Sequence, residues 1–401
     1  MYHGASTILR GMPGINSAAT VPCTPVSRVW NNNWGGYVLF CWDTYFGAVM
    51  EAPDNPALAC CNAITITHGR TETGFVPNYV KQNGGKSFDR SQPPVGSLCC
   101  LEIWRQCGWD WFLAEVFDDL LVWNRWFFRC RRGKNGLLAW GSDPYEGTAG
   151  HVLETWGVHD WQGATFESGL DNSPMYDGVP FDPERSILLL EDVGLTGLYI
   201  ADCRSLAEIA GILGRKAEAD ELLQRCEETE LALEQLWDEE AGMYLCRRED
   251  TGELQHRLSP FHFHALFSHR AGVERAERMI REHFYNPEEF WGEFILPSIA
   301  RNDPAYPDQD YWRGRIWAPM NYLVYMALRE YAPQSEMITQ ALRDLAEKSE
   351  QLLLKEWLSM GHVHENYNGD TGEGCDVANS DRYYHWGALL GFIALHHGNA
   401  F

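Results

Sequence analysis

Amphipathic helical segments recur in pairs along most of this 401-residue chain, and this pattern limits the fold more than any other feature. From Leu195 to Leu213 the apolar residues return at helical spacing, and Gly214 follows as a C-cap. A second amphipathic run begins after only Arg215-Lys216, so the two segments predict an antiparallel helical hairpin. Residues 98–131 and 321–357 predict similar hairpins, and the chain is therefore expected to be all-α.

Long segments rich in Gly, Pro, Asn and aromatic residues separate the hairpins: residues 69–94, 133–183, 285–319 and 361–383. Loops of this length inside a compact domain are usually functional. The hairpins have no fixed repeat length, which favours a closed toroid with its long loops on one rim over an open solenoid. We expect residues 36–401 to form this single domain and residues 1–35 to be an irregular lead-in.

The formal net charge of −24 argues against partners such as nucleic acids or anionic membranes, because both require clustered Lys and Arg. The sequence has neither a run of about 18 apolar residues nor a signal-peptide pattern at its start. We therefore expect a cytoplasmic protein. The twelve cysteines show no CxxC spacing, so reduced core thiols are expected rather than zinc ligands or disulfides.

Aromatic residues are abundant, with 17 Trp, 17 Tyr and 18 Phe, and several lie in polar loops. Trp42-Asp43, Trp161-Gln162 and His385-Trp386 are examples. An aromatic face packs against the C–H face of a sugar ring while polar neighbours bind its hydroxyl groups. The pattern indicates a pocket for a small, neutral carbohydrate.

Asp171 lies in a loop that combines a rigid backbone with aromatic neighbours. The segment Glu167-Ser168-Gly169-Leu170-Asp171-Asn172-Ser173-Pro174 is flanked by Trp161, Phe166 and Tyr176. Burial and nearby negative charge both raise the pKa of a carboxylic acid, which keeps its proton available near neutral pH. We interpret Asp171 as a general acid that protonates the bridging oxygen of a glycoside, against the alternative of a solvated acidic loop.

Glu365 is a second isolated acid, in His362-Val363-His364-Glu365-Asn366-Tyr367. Glycoside hydrolysis uses two carboxyl groups, one as proton donor and the other to activate water or attack the anomeric carbon. We interpret Glu365 as the general base; the alternative is an ordinary turn before the flexible segment 368–372. The two histidines lack HExxH spacing, so no metal site is expected.

Three further segments are candidates for sugar binding. Asp43 can cap a helix that starts there, accept hydrogen bonds from two vicinal hydroxyls of a sugar, or do both. Arg90-Ser91-Gln92 precedes a double proline, which explains a helix boundary but not the polar triplet. Tyr311-Trp312-Arg313 is either an aromatic and cationic stack at a helix start or the wall of a subsite.

In this order, these segments resemble the catalytic domain of glycoside hydrolase family 63 and, more distantly, the family 37 trehalases. The resemblance covers nearly the whole chain from about Pro25 and rests on residues 35–46, 90–94, 167–174, 311–314, 365–367 and 384–387. It implies an (α/α)6 barrel and an inverting hydrolase acting on an α-linked glucoside or related hexoside, of the oligosaccharide or glycosylglycerate type. It implies no metal and no organic cofactor. An inverting site holds its two carboxyl groups about 6.5 to 9.5 Å apart.

By position, the resemblance assigns the acid of the family to Asp171 and its base to Glu365. The residues at its sugar-binding positions are Trp42, Asp43, Gln92, Trp312, Arg313 and Trp386. Many bacterial relatives carry an upstream β-rich domain, for which there is no room before Trp42. The chain is thus either a short single-domain member or part of a longer protein.

Two alternatives to a hydrolase stay open at this point. A sugar epimerase on a similar toroid would need paired histidines as acid and base, for which His159 and His385 are candidates. A non-catalytic carbohydrate-binding toroid would need neither Asp171 nor Glu365. The sequence does not identify the substrate, but Lys86, Arg90, Arg313 or Arg315 could hold a carboxylated leaving group.

Overall fold

The computed structural model of the protein describes residues 7–10, 20–33, 36–81, 85–145 and 158–398. Residues 1–6, 11–19 and 34–35 of the predicted lead-in lie outside this part of the chain, and so does the stretch 146–157 of the predicted loop 133–183. Gly35, at the start of the segment 35–46, is among the residues outside it.

The described residues contain twelve α-helices: α1 (Arg28–Asn33), α2 (Cys41–Glu51), α3 (Pro56–Thr67), α4 (Gly96–Cys107), α5 (Asp110–Cys130), α6 (Trp161–Ser168), α7 (Val193–Ile212), α8 (Lys216–Leu233), α9 (Gly272–Met279), α10 (Ala318–Arg329), α11 (Glu336–Met360) and α12 (Leu389–His397). None of the described helices combines the length and the apolar character that a membrane span requires.

The strands are short: β1 (Thr7–Arg10), β2 (Thr20–Cys23), β3 (Val38–Phe40), β4 (Tyr79–Lys81), β5 (Phe181–Asp182), β6 (Ile187–Leu188), β7 (Leu190–Glu191), β8 (Trp237–Asp238), β9 (Met243–Tyr244), β10 (Cys246–Arg248) and β11 (Leu254–Gln255). In the described ranges β10 pairs antiparallel with both β7 and β11. The other strands form antiparallel pairs of consecutive strands: β1–β2, β3–β4, β5–β6 and β8–β9. Helices α2 and α3 lie between β3 and β4 in the chain.

Six helical segments form a closed inner ring. The ring runs through α2, α4, α7, the 3-10 helix Pro260–Phe267, α10 and α12, and α12 packs back against α2. Helices α3, α5, α8 and α11 pack against the outside of the ring. The predicted all-α class and (α/α)6 barrel are confirmed, with one variation: the fourth inner member is a 3-10 helix whose residues are all buried.

The predicted helical hairpin around Gly214 is confirmed in α7 and α8. Helix α7 begins at Val193 because the side chain of Asp192 accepts a hydrogen bond from the N–H of Leu195 at 2.8 Å. Gly214 has φ 71°, in the left-handed region that glycine adopts without strain, and α8 starts two residues later. Local periodicity and capping therefore determine this hairpin.

The long loops converge on one rim of the barrel. The four loops predicted from the sequence follow α3, α5, α9 and α11, and each precedes an inner helix: α4, α7, α10 or α12. Because the inner helices consequently run in the same direction, their N-terminal ends share one rim with these loops. This rim is where the candidate site residues are found.

Close packing in the inner ring depends on two glycines of α7. A Cβ at Gly194 would lie 2.5 Å from the ring of Phe261, and a Cβ at Gly197 would overlap the carbonyl oxygen of His264. Both partners belong to the 3-10 helix Pro260–Phe267. The backbones of these two segments are therefore nearly in contact.

We expect Gly197→Ala to destabilise the fold by at least about 2 kcal/mol, because the new methyl group meets backbone that cannot rotate away. Gly211→Ala in the same helix is the matched control, since a Cβ there has no neighbour within 4 Å. The control should be neutral or slightly stabilising. Urea unfolding of the two variants checks this, and equal stabilities would contradict it.

Candidate active site

A cavity of about 230 Å³ lies at the rim where the inner helices begin. Its aromatic wall residues are Trp30, Phe40, Trp42, Phe166, Tyr311, Trp312, Tyr384 and Trp386. Its other wall residues are Asp43, Asn78, Arg90, Gln92, Gly169 and Asp171. The cavity is smaller than the roughly 300–1,000 Å³ of sites for drug-sized ligands, so it suits one sugar ring.

The structure brings six of the predicted site residues onto this wall: Trp42, Asp43, Gln92, Asp171, Trp312 and Trp386. They come from segments that are far apart in the chain. Glu365 and Arg313 are not on the wall, and each is described below.

Asp171 reaches the wall through a tight turn after α6. Gly169 ends that helix with φ 71°, and a Cβ on it would lie 2.7 Å from the ring of Trp42. Glycine therefore meets both the backbone and the space requirement here. Burial raises the pKa of Asp171 to about 7, although the nearby positive charge of Arg90 opposes that rise.

Glu167, at the end of α6, is structural. It is fully buried and forms a two-pronged ion pair with Arg131, with Nε–Oε2 at 2.6 Å and Nη2–Oε1 at 2.9 Å. It also accepts hydrogen bonds from the N–H groups of Ser91 at 3.0 Å and Gly141 at 2.7 Å. All of its donors are protein groups, so Glu167 fixes the loops around Asp171.

Glu365 lies directly behind Tyr311 rather than on the cavity wall. Its side chain is 2% exposed, and its two oxygens accept hydrogen bonds from Tyr311 Oη at 3.0 Å and from the N–H of Asp381 at 3.1 Å. Burial raises the pKa of Glu365 to about 8, while both hydrogen bonds favour the ionised form. One hydroxyl group thus connects the cavity with the second acid.

Tyr311 has a strained backbone. Its φ of 56° lies in the left-handed region, which is unfavourable for an aromatic residue. The carbonyl oxygen of Tyr311 accepts a hydrogen bond from the indole of Trp317 at 3.0 Å, which helps to hold this conformation. Such strain is concentrated at functional sites.

Asp43 is the third residue of α2, whereas the N-cap of that helix is Phe40, so capping does not explain this carboxyl group. Asp43 accepts a hydrogen bond from Tyr384 Oη at 2.7 Å. Burial raises its pKa to about 7, and the charge of Asp171 adds to the rise. The amide oxygen of Gln92 accepts from the N–H of Trp42 at 3.2 Å and so holds the start of α2.

Stacked tryptophans form one side of the cavity. Trp312 stacks on Trp317 with ring centroids 3.7 Å apart and planes within 8°. Trp42 lies 6.0 Å from Trp312 and 5.7 Å from Trp386, and the indole of Trp386 donates to the backbone oxygen of Glu365 at 2.8 Å. The aromatic wall is therefore fixed to the loop that carries the second acid.

The sugar contact predicted for Arg313 stays a prediction, and Arg313 is not among the residues that line the cavity. Its Nε donates to Asp308 at 2.8 Å and its Nη1 to Asp177 at 3.1 Å. These acidic partners draw the side chain outward along the rim. In this structure Arg313 therefore joins the segments that carry Asp308 and Asp177.

Several wall residues are not among the predicted catalytic or sugar-binding residues: Trp30, Phe40, Asn78, Phe166 and Tyr384. Tyr384 stood beside the predicted Trp386, and Phe166 beside the predicted acidic loop, so proximity along the chain was a usable signal for both. Asn78 and Phe40 reach the cavity through the pairing of β3 with β4, which the sequence did not indicate.

The histidines considered for an epimerase do not meet at the cavity. Neither His159 nor His385 is on its wall. His159 Nε2 contacts the carbonyl oxygen of Pro183 at 3.0 Å, and burial lowers the pKa of His385 to about 3. The arrangement gives no support to a pair of histidines acting as acid and base.

A larger cavity of about 540 Å³ lies where the inner helices end, away from the acids described above. Its wall includes Arg204 and Glu230, which pair at 2.7 Å, and Arg105 and Glu208, which pair at 3.1 Å. The carboxylates of both pairs are bound by guanidinium groups. The smaller, aromatic cavity is therefore the candidate active site.

A helical barrel with an acidic, aromatic cavity at its loop-bearing rim is typical of one class of glycoside hydrolases. Residues 36–387 match the model of the mannosylglycerate hydrolase MGH1-like glycoside hydrolase domain, and the chain belongs to this family. The predicted relationship to glycoside hydrolase family 63 is confirmed.

Curated relatives share about a quarter of the matched sequence. Mannosylglycerate hydrolase MGH1 of Selaginella moellendorffii is 26% identical over 295 residues, which are 60% of this chain and 55% of that protein. Mannosyl-oligosaccharide glucosidase of Saccharomyces cerevisiae is 25% identical over 312 residues, which are 70% of this chain and 34% of that protein. The chain thus matches about half or less of the length of these relatives.

Solved structures show the same fold. A mannosylglycerate hydrolase of family 63 from Thermus thermophilus, in complex with glucose, has a TM-score of 0.71 at 21% identity, covering 89% of this chain and 92% of that one. The neutral trehalase Nth1 of Saccharomyces cerevisiae has a TM-score of 0.73 at 16% identity, covering 98% and 77%. Both similarities support the barrel assignment.

The raised pKa of Asp171 predicts a pH-dependent stability difference. Between about pH 4 and 7 the folded protein keeps a proton that the unfolded chain has released, so this stabilisation is present at low pH and is lost as pH rises through 7. Asn cannot ionise. Asp171→Asn should therefore be more stable than the natural protein by about 1–3 kcal/mol at pH 8 and by little at pH 4.

Urea unfolding at several pH values measures this difference. A stability difference that does not change between pH 4 and 8 would show that Asp171 is not a desolvated carboxyl group.

Proposed function

We propose that the protein hydrolyses an α-linked hexoside with inversion at the anomeric carbon, with Asp171 as general acid and Glu365 as general base. The observation that carries the proposal is the cavity itself. The carboxyl group of Asp171 lies on its aromatic wall, and the carboxyl group of Glu365 is hydrogen-bonded to the hydroxyl group of the wall residue Tyr311. Two such groups are what glycoside hydrolysis by inversion requires.

Asp171 suits the role of proton donor. Its carboxyl group is on the wall, and its pKa of about 7 keeps roughly half of it protonated in neutral solution. The leaving group of the substrate needs that proton as the glycosidic bond breaks. The nearby guanidinium of Arg90 then stabilises the aspartate that is left.

Glu365 suits the role of base when Tyr311 moves aside or shares its hydrogen bond with water. The Tyr311 hydroxyl and the Asp381 N–H both bind the carboxylate and favour its ionised form, whereas burial has the larger effect and raises its pKa to about 8, so the base form becomes dominant only above that pH. A water molecule between Tyr311, Glu365 and the sugar would be deprotonated by Glu365 as it attacks. The product then carries the opposite anomeric configuration.

Asp43 and Gln92 are proposed to bind the sugar hydroxyls at the bottom of the cavity, with Trp42, Trp312 and Trp386 around the ring. Asp43 is 1% exposed and lies near both acids, as the mutual effects on their pKa values indicate. A carboxyl group at that position can accept from vicinal hydroxyls. The aromatic surfaces supply the apolar contact.

The leaving group is proposed to carry a carboxylate, as in a glycosylglycerate. Of the four candidate cations, Arg90 alone lines the described cavity. Arg313 and Arg315 are held by aspartates, and Lys86 donates to backbone carbonyl oxygens. Arg90 pairs with Asp89 through Nη1 at 2.9 Å, and its buried Nε has no partner among the described residues. Names of relatives such as mannosylglycerate hydrolase are consistent with this substrate class.

A cytoplasmic location is part of the proposal. All twelve cysteines are free thiols, and eight of them are buried. Thiols of this kind are usual in a reducing compartment.

A screen of α-linked disaccharides and glycosylglycerates against the natural protein and two variants tests the function. Asp171→Asn and Glu365→Gln should each lower kcat by about 10²- to 10⁴-fold, because each removes a proton-transfer group. Sugar binding, measured by calorimetry, should persist in Asp171→Asn. Asp220→Asn on α8 is the control and should keep full activity.

Retention of activity in both acid variants would contradict the proposal and favour a binding protein. An isomerised sugar formed without consumption of water would instead favour an epimerase.

Arg90→Gln tests the proposed leaving group. Loss of one charge-assisted hydrogen bond of about 1.5–3 kcal/mol should lower kcat/KM for a glycosylglycerate by about 10- to 100-fold. The same variant should lower kcat/KM for a neutral disaccharide by a smaller factor, because that substrate loses only the effect of Arg90 on Asp171. Arg313→Gln is the matched control, since its guanidinium is off the wall. Equal losses on both substrate classes would contradict a carboxylate contact.

A further inference from the structure

Three buried side chains with metal-binding chemistry lie together beside the loop that carries Glu365. Glu356 belongs to the end of α11, and His362 and His364 follow that helix. One candidate ligand atom of each residue lies within 4.8 Å of the other two. The three residues are 3%, 5% and 0% exposed, respectively.

A turn at the end of α11 brings these residues together. Gly361 has φ 72°, so the chain reverses there and returns the two histidines to the side of Glu356. Gly374 covers the cluster from a separate loop, and a Cβ on it would overlap the ring of His364. The N–H of Gly374 donates to Oε1 of Glu356 at 3.1 Å, which fixes the carboxylate.

The atoms that face each other in this cluster have unmet hydrogen-bonding capacity. Oε2 of Glu356, Nδ1 of His362 and both ring nitrogens of His364 have no hydrogen-bond partner among the described residues. Nδ1 of His364 lies 3.0 Å from Oε2 of Glu356. These two atoms nevertheless do not form a hydrogen bond of acceptable geometry. Buried polar atoms are normally satisfied, so converging unsatisfied atoms indicate a ligand.

We propose that Glu356, His362 and His364 bind one divalent cation of the zinc type. Two imidazole nitrogens and one carboxylate oxygen are ligands that Zn²⁺ accepts, whereas Ca²⁺ and Mg²⁺ prefer sites made entirely of oxygen. Ligand atoms about 2.0 Å from a tetrahedral Zn²⁺ lie about 3.3 Å apart. The present spacings, from 3.0 Å for Nδ1 of His364 and Oε2 of Glu356 to at most 4.8 Å, lie on both sides of that value, so small side-chain rotations would fit the ion, with water in the fourth position.

The proposed ion has a positioning role and takes no part in the hydrolysis. It would join the last turn of α11 to the loop 361–367, in which His364 precedes the candidate base. The backbone of Glu365 is held on its other side by Asp381, with N to O at 2.9 Å. A cation at the cluster would therefore fix the loop from both sides. The binding itself does not depend on the proposed function.

The sequence predicts no metal at these histidines, because it lacks HExxH spacing. The third proposed ligand, Glu356, lies inside α11, before the helix ends at Met360. The spacing between Glu356 and the two histidines therefore matches no short metal-binding motif. Only the reversal at Gly361 and the cover from Gly374 place the three side chains together.

Metal content tests the proposal directly and without substrate. The full chain is stripped with a chelator, dialysed against Zn²⁺ and analysed by mass spectrometry. We expect one equivalent per chain, and Ca²⁺ or Mg²⁺ should not compete. Co²⁺ in place of Zn²⁺ should give the strong visible absorption of four-coordinate cobalt.

Ligand variants localise the ion. His364→Gln and Glu356→Gln should each raise the Kd for Zn²⁺ by at least about 100-fold, since loss of a supporting residue alone costs 10- to 100-fold. His264→Gln is the matched control, because it is a fully buried histidine of the inner ring outside the cluster. It should keep the one equivalent, and so should variants of the exposed His269 and Cys375.

A second readout keeps the test decisive if a ligand variant folds poorly. In the natural protein, Zn²⁺ should slow amide hydrogen exchange in residues 361–376 relative to the chelator-treated protein. Absence of stoichiometric binding would overturn the proposal. Binding that survives both ligand variants, or that is lost on changing His269 or Cys375, would also overturn it. If the protein hydrolyses its substrate but does not bind Zn²⁺, the metal proposal fails while the proposed function is retained.

Discussion

The buried ion pair between Arg131 and Glu167 is the interaction on which the candidate site depends. It joins the end of α5 to the end of α6, and Glu167 also accepts from the backbone of Ser91 and Gly141. The segments that carry Arg90, Gln92 and Asp171 are therefore tied to one fully buried carboxylate. Removing one partner of such a pair leaves an unpaired buried charge, at a cost of about 3–5 kcal/mol.

The aromatic wall links the stability of the fold to its chemistry. The tryptophans that close the barrel rim also exclude water from the carboxyl groups behind them, and this desolvation raises the pKa values of Asp43 and Asp171. Keeping uncharged acids in an apolar cavity costs stability at neutral pH. Ion pairs at the rim and the close packing of the inner ring, which requires a glycine at Gly197, offset this loss of stability.

The sequence predicted what local periodicity and short motifs determine. Helices, their caps and the loops on one rim followed from residues close together in the chain, and six of eight site residues reached one wall. Contacts between residues that are far apart in the sequence were not predicted. Arg313 turns toward Asp177, 136 positions away, and Glu365 lies behind Tyr311, whose left-handed backbone no residue pattern indicates.

The configuration of the first-formed sugar tests the central claim, that Asp171 and Glu365 act on opposite faces of one glycosidic bond. Proton NMR during hydrolysis of an α-linked substrate records this configuration before mutarotation. The account predicts that the β-hexose appears first, because a water activated by Glu365 attacks from the face opposite the leaving group. Initial release of the α-hexose would contradict direct displacement by water.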